Sequence, residues 1–408
     1  MSIIFSSEKY RMQRYKISGR AVDIDDPQFA ILLENVYGTK NRPLCLCREP
    51  GVEMYVAKMD GRFLCKRMPD SGPIHAPSCD SYEAPPELSG LGQVMGTAIQ
   101  ENSESGVTTL KLGFPLTKSA TRAAPVASGI ELDSVKTDGN KLTLRGTLNF
   151  LWYQAQLNKW SPAMQGKRTW FVVRKYLIIA AKNKIAKGSS LVNILYIPEP
   201  FSADRKEDIA QRRASQVMTV ATPKNGSRRL MLAIGELKEI AASRYGYKIL
   251  LRNAPDFPFM VNEDLHKRIK RRFEAELGLW DAMDDVHLMI IGTFGVSATG
   301  IASFEEVALI TVTEQWLPME NLFDKALIDT MVRDNRRFMT GMRYNLPSTR
   351  PLASAVASDT NPDPTAMYIV PPGVSDEYNH ALDELVKGSK LASWIWRAGV
   401  AGMPSLPR

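Results

Sequence analysis

"PLCLCREPGVEMYVAKMDGRFLCKRMPDSGPIHAPSCDSYE" runs from Pro43 to Glu83 and holds all four cysteines of the chain and one of its four histidines. Cys45 and Cys47 form a C-x-C pair, and His75 and Cys79 form an H-x3-C pair further on. Small zinc modules are assembled this way, each tight turn supplying two ligands and the intervening chain bringing the turns together. Three thiolates and one imidazole complete a tetrahedron and leave no open position, so the expected Zn2+ is structural. Between the pairs, "EMYVAKM" and "RFLCKRM" flank Asp60-Gly61, a strong hairpin signal. Pro69, Gly72, Pro73 and Pro77 shape the turn that carries the second pair. The segment therefore reads as a zinc-stapled hairpin over 43–83. Cys65 is the fourth thiol. Strand alternation places it with Phe63 and Arg67, either as a small packed thiol or as a replacement for His75.

The rest of the chain bounds this reading. With 408 residues, 44% hydrophobic and 24% charged, there is ample material for an ordinary core, and no metal is needed to support the whole. A net charge of +8 permits a polyanionic partner without demanding one. The N-terminal "MSIIFSSEKYRMQRYK" lacks the apolar run of a signal peptide, and "HLMIIGTFGVSATGIASF" reads as core strands rather than a membrane span. The expected location is cytoplasmic, where thiols stay reduced and disulfides are disfavoured.

The organisation expected is an α+β multidomain chain. It begins with residues 1–83 carrying the zinc knuckle, followed by a Pro/Gly/Ser-rich linker or irregular β region over 84–140. A central helical unit over 141–226 and a mixed α/β domain over 227–408 complete it. In the helical unit, "TLNFLWYQAQLNKW" and "KRTWFVVRKYLIIAAKNKIAKG" have helical spacing. Arg168, Arg174, Lys175, Lys182 and Lys184 bring charge to the second. Helix, turn, basic helix and strand is the order of a winged helix-turn-helix, though the Ser161–Arg168 turn is longer than that motif prefers. An ordinary helical pair with solvated lysines is the favoured reading, because charge on an exposed helix face is the default.

The last domain contains the cleanest helix, expected from Asn262 or Glu263 to about Met283. Leu265, Ile269, Phe273, Leu277 and Trp280 make its apolar stripe. Opposite lie His266, Lys267, Arg268, Lys270, Arg271 and Arg272, a face that suits a phosphate backbone or simply water, with Glu263, Asp264, Glu274 and Glu276 in partial balance. The candidate DNA or RNA contacts are Lys267, Arg268, Lys270, Arg271 and Arg272, with Arg174 and Lys175 in second place. A final helix is expected from about Tyr378 to Trp396. "PLASAVASDT" and "PTAMYIV" have the spacing of a restriction-endonuclease-like core, but the second lacks its carboxylate and lysine. Asp359 and Asp363 lie in a Pro-rich turn. No phosphate-cradling loop, G-x-S-x-G or H-E-x-x-H is present.

The run "PLCLC" with "MYVAKMDGRFLCKRMPDSGPIHAPSCDSYE" resembles the N-terminal signature of the bacterial Domain of Unknown Function 1173 family. "LNFLWYQAQLNKWSP", "RRFEAELGLW", "EQWLPMEN", "RFMTGMRYNLPSTRPL" and "WIW" extend the likeness over nearly the whole chain. The resemblance implies three N-terminal cysteines, matched by Cys45, Cys47 and Cys79, and an association with plasmids and integrated elements. It carries no catalytic residues. Two functions follow as expectations: a zinc-binding protein of a mobile element that binds nucleic acid or serves in an assembly, or a metal-dependent, nuclease-like enzyme whose acids converge only in the fold.

Overall fold

The computed structural model describes residues 13–59, 61–118, 139–221 and 228–408. The expected hairpin residue Asp60 and the segments "TRAAPVASG" and "SVKT" of the linker lie outside these. The described chain is a mixed α/β structure whose largest element is a barrel. Its strands are β1 (Met231–Ser243), β2 (Gly246–Leu251), β3 (Ala254–Val261), β4 (Val286–Val296) and β5 (Ala302–Thr313). β1 pairs with β4 from Met231 to Glu236 and with β2 from Leu237 to Ser243, changing partner at a register shift between Leu237 and Glu239. β3 is antiparallel to β2 and touches β5 in parallel through Phe259↔Ala302 and Met260↔Ser303. β5 and β4 run antiparallel over their full lengths. The ring closes in the order β1-β2-β3-β5-β4-β1.

Two glycines permit that closure. A Cβ on Gly235 would lie 2.8 Å from Leu251 Cδ1, and one on Gly292 would lie 2.7 Å from the Phe304 ring. Bending strands into a small barrel forces such close approaches. The interior is aromatic: Phe259 stacks on Phe304 with centroids 4.4 Å apart and meets Phe294 edge-on at 5.1 Å. Between β3 and β4 lie α1 (Glu263–Arg272) and α2 (Glu274–Ala282). Asn262 caps α1, its side chain accepting from Leu265 N at 2.8 Å. The sequence predicts one continuous helix here, but there are two. The chain breaks at Phe273, where φ is −120° and ψ 31°, and that ring is buried in the core with Leu265 and Ile269.

The helices Leu144–Gln154 and Trp170–Ala181 bury Leu148, Leu151, Trp152, Val173 and Leu177 in the same apolar core as the barrel. Trp152 Nε1 donates to Trp316 O at 3.2 Å, which ties the first helix to the turn after β5. A further sheet runs Ala392–Arg397, Thr365–Val370, Ala355–Ala357, Phe338–Thr340, Lys159–Trp160. The last helix is Asp376–Gly388 rather than a run to Trp396, because "ASWIWR" is a strand parallel to Thr365–Val370. Its alternation buries Trp394 and Trp396 while Arg397 stays exposed.

The N-terminal sheet has the order Arg20–Asp23, Arg14–Ile17, Leu44–Cys45, Val52–Met59, Arg62–Arg67. The last two strands form the expected hairpin, in register from Met54↔Arg67 to Met59↔Arg62. Gly61 has φ +75°, the left-handed conformation a two-residue turn requires.

Candidate metal centre

Cys45 is fixed by strand pairing on both sides, to Tyr15 and to Val52. The chain then turns over Leu46 and Cys47 and returns through Gly51, whose φ of +119° only glycine adopts freely. This brings both thiols of the C-x-C pair to one side. The second pair is set by the short 3-10 turn Gly72–Ile74 and the hydrogen bonds His75 N to Gly72 O and Cys79 N to Ala76 O. Gly72 must lack a side chain, because its Cβ would lie 2.5 Å from Glu83 Cβ.

The two turns meet. One ligand atom from each of Cys45, Cys47, His75 and Cys79 lies within 4.8 Å of all the others. Cys45 Sγ and Cys79 Sγ are 3.7 Å apart, too far for a disulfide. His75 Nδ1 is 3.3 Å from Cys47 Sγ and 3.8 Å from Cys79 Sγ. A zinc tetrahedron with bonds of about 2.3 Å to sulfur and about 2.0 Å to nitrogen has S–S edges of about 3.8 Å and S–N edges of about 3.5 Å. These three edges come within about 0.3 Å of those lengths, and all six lie within 4.8 Å. The ring of His75 turns Nδ1 towards the sulfurs, and its Nε2 is buried without a hydrogen-bond partner. Around the thiols, Ala76 N donates to Cys47 Sγ and Ser81 N to Cys79 Sγ, each at 3.4 Å, and Gln13 Nε2 reaches Cys79 Sγ at 3.9 Å. Such donors stabilise thiolate ligands. The Cys45 hydrogen bond, helped by His75 and Ser81 N–H, lowers Cys79 to about 4, while the same bond and burial push Cys45 up. Among the described residues no other group of three or more His, Cys, Asp or Glu side chains converges this closely.

Cys65 stays outside the cluster. Its thiol packs against the N-terminal core, and burial pushes it up to about 12. It is a packing residue and His75 is the fourth candidate ligand.

Beside the cluster, Glu83 joins the module to the rest of the chain. Its Oε1 is 3.0 Å from Arg67 Nη1 and 2.9 Å from Lys159 Nζ, and Arg67 Nη2 donates to Tyr153 OH at 2.7 Å. The sequence contains no local signal for this junction, since Glu83 and Lys159 meet only in the fold.

The cationic candidates divide. Lys267, Arg268, Lys270, Arg271 and Arg272 are all exposed on α1. His266 is not part of that face: it is buried and stacks on Tyr247 at 3.4 Å. On Trp170–Ala181, Arg174 donates Nε to Ile197 O at 3.0 Å and only Lys175 points outward, over the Tyr176 ring. Arg168 is spent on the carbonyls of Leu157, Lys159 and Gln315. Lys184 is 2% exposed, and burial lowers it to about 7. Of the cations expected with that helix, Arg168, Arg174, Lys175, Lys182 and Lys184, Lys175 alone is fully exposed.

The acids are similarly committed. Asp359 accepts from Arg336 Nε and Nη2 at 3.0 and 2.8 Å and from Arg337 N at 2.8 Å. A carboxylate pair does converge beside a cavity of about 30 Å³, where Glu320 and Asp324 lie with Arg343 and Tyr378. Glu320, however, bonds Arg145 at 2.8 Å and Arg343 at 2.5 Å through its two oxygens. Asp324 Oδ2 accepts from Glu320 N at 3.0 Å, and burial, with Glu320's charge behind it, pushes Asp324 up to about 6.

Fold and site together define a mixed α/β protein with a closed three-cysteine, one-histidine cluster suited to a metal ion, and with no described helix long and apolar enough to cross a membrane. The chain belongs to the DUF1173 family, described as proteins of unknown function, whose family model matches residues 15–399. Comparison with curated proteins and with solved structures returns no match.

Proposed function

We propose that the chain is a zinc-stabilised nucleic-acid-binding protein. The zinc would be held by Cys45, Cys47, His75 and Cys79 and would serve structure alone, because four protein ligands leave no position for water or substrate. Three soft thiolates and an imidazole select zinc over the hard divalent ions. The nucleic-acid reading is carried by the cationic face of α1: five exposed Lys and Arg side chains on a helix whose other face is locked into the core. Cations near a helix C-terminus also stabilise the helix, and Glu263 lies 3.6 Å from Lys267, so the face has a structural role of its own. One triple variant separates the two roles. Replacing Lys267, Lys270 and Arg271 with Gln should change stability by no more than about 0.5 kcal/mol. It should weaken nucleic-acid binding and flatten the log–log salt slope by about one unit for each phosphate no longer neutralised. Unchanged affinity and slope in that variant would show a solvated face. Elemental analysis should find one zinc per chain. The link to mobile elements rests on the family resemblance.

The enzyme reading has one observation in its favour, the raised carboxyl of Asp324 beside Arg343 and Tyr378. Divalent-dependent cleavage of DNA or RNA by the wild type, lost in Asp324→Asn, would establish it.

A further inference from the structure

Five strands closed as β1-β2-β3-β5-β4-β1 define the barrel. A bulged first strand is shared between β2 and β4, β3 and β5 meet in parallel, and the helical segment α1–α2 is inserted between β3 and β4. That is the topology of the OB-fold, whose β2–β3 surface and flanking β1–β2 and β4–β5 loops take up extended polymers. Topology by itself assigns no ligand; the side chains on that surface must do so.

The β1–β2 tip carries Arg244 and Tyr245. Tyr245 is 79% exposed, the most exposed aromatic ring among the described residues, and the Arg244 guanidinium lies 5.3 Å from its centroid. The tip is held in place. Gly246, at φ +104°, lies so close to Val261 O that a Cβ would come within 2.7 Å. Tyr247 stacks on His266 of α1, which places the tip beside the cationic helix. Along the strands, the cross-strand partners Lys248 and Met260 are half-buried and continue the surface. The β4–β5 turn borders it at the far side, because Ala302 pairs with Phe259 and Ile301 is 53% exposed. Glu239, Glu263 and Asp264 are the exposed carboxylates at this end, set against Arg244, Lys248, Lys267, Lys270 and Arg271. The first half of β3 is covered, since Arg213 lies over Phe257 and pairs with Asp256 at 2.8 Å. An open strip therefore runs from the Tyr245 tip across Lys248 and Met260.

We propose that this strip binds single-stranded nucleic acid, with Tyr245 stacking on a base and Arg244, Lys248 and the cationic face of α1 meeting phosphates. The inference rests on the nucleic-acid reading above and names the class of strand. A duplex hides the faces of its bases, leaving a protruding ring nothing to stack on. A single strand offers a face at each nucleotide, and an OB barrel engages about 4 or more of them.

The test uses the full zinc-loaded chain and fluorescence anisotropy, with a labelled oligothymidine and a labelled duplex of equal length. The wild type should prefer the single strand. Tyr245→Ala should weaken single-strand affinity about tenfold while leaving duplex affinity and the salt slope unchanged, and Tyr245→Phe should retain wild-type affinity. Exposure at a turn makes the substitution safe for folding, which circular dichroism checks. Equal or tighter duplex binding, or a Tyr245→Ala variant that binds oligothymidine as the wild type does, would overturn the proposal. If Lys267/Lys270/Arg271→Gln weakens binding while Tyr245→Ala does not, this proposal falls and the broader reading stands. If the wild type binds neither probe at low salt, both fall.

Discussion

The barrel closes around Phe259, Phe294, Phe304, Ile249, Leu251 and Leu288, and that core continues through Leu148, Trp152 and Leu177 of the neighbouring helices. The N-terminal sheet has Tyr15, Ile17, Val22, Leu33, Val36, Val52, Met54 and Val56, with Cys45 itself among them. Both regions are built mainly from antiparallel strand pairs. They differ in how much apolar surface each removes from water. A small sheet with one short helix buries too little to offset the entropy of ordering it, and a metal or another cross-link makes up the difference. All four cysteines fall in this smaller region, between Pro43 and Glu83. Thiols are placed where the core is thin, and the barrel carries none.

The sharpest way to break the comparison is to remove the metal. Cys47→Ser, or chelation, should release zinc and unfold the module over 13–83, while β1–β5 keep their protection. Binding of structural zinc is worth about 10–16 kcal/mol in small modules, so the local unfolding should be complete. Hydrogen exchange by mass spectrometry reads it. An equal fall in protection in both regions would show that they are one cooperative unit. Cys65→Ser should leave zinc stoichiometry at one.

A smaller effect is expected at the seam. Glu83→Gln leaves Arg67 and Lys159 without their carboxylate in a site where Glu83 is 7% exposed, and breaking such a buried pair costs about 3 kcal/mol. Zinc should stay bound while the module loosens from the body, seen as increased exchange at Arg62–Arg67 and around Tyr153. A variant with wild-type exchange at both places would mean that apolar packing alone holds the seam.

The smallest effect concerns pH and lies wholly outside the module. Asp324 is raised to about 6 by burial, against about 3.9 in an unfolded chain. The native state holds this proton more tightly, so its contribution is present below about pH 4 and is lost as pH rises through 6. Asp324→Asn keeps an oxygen for Glu320 N and removes the ionisation. It should gain on the order of 2 kcal/mol over wild type at pH 7 and nothing at pH 4, measured by exchange of Leu322–Arg333. A pH-independent difference between the two proteins would refute the assignment.

The candidate metal site was legible almost entirely in the sequence. Thiolate chemistry leaves few uses for two close pairs, whereas the choice between His75 and Cys65 stayed open in the sequence and was made by the fold. The ring orientation of His75 and the Gln13 contact were not legible, because both depend on chain that is distant in sequence. The barrel was half legible. β1, β2, β4 and β5 show their apolar runs, but β3 reads "APDFPFMV", and Pro255 and Pro258 argue against a strand wherever ladder hydrogen bonds are needed. It is a strand nonetheless, touching β5 through two register pairs only. The charges were least legible. Arg168 and Lys184 look like the lysines and arginines of α1, yet the former are buried among carbonyls and rings while the latter face water.

What the sequence determined by itself was whatever depends on neighbours in the chain. The ligand spacing of Cys45, Cys47, His75 and Cys79, the hairpin between them, the Asn262 cap and the apolar stripe of α1 are all of this kind. Each is settled by turn geometry and side-chain period over a few residues. Tertiary structure alone decided the closure of β3 on β5, the Arg67–Glu83–Lys159 seam and the exposure of Tyr245 beside the cationic helix. These are meetings of segments tens of residues apart. Their free energy comes from water excluded between surfaces that only the folded chain brings together.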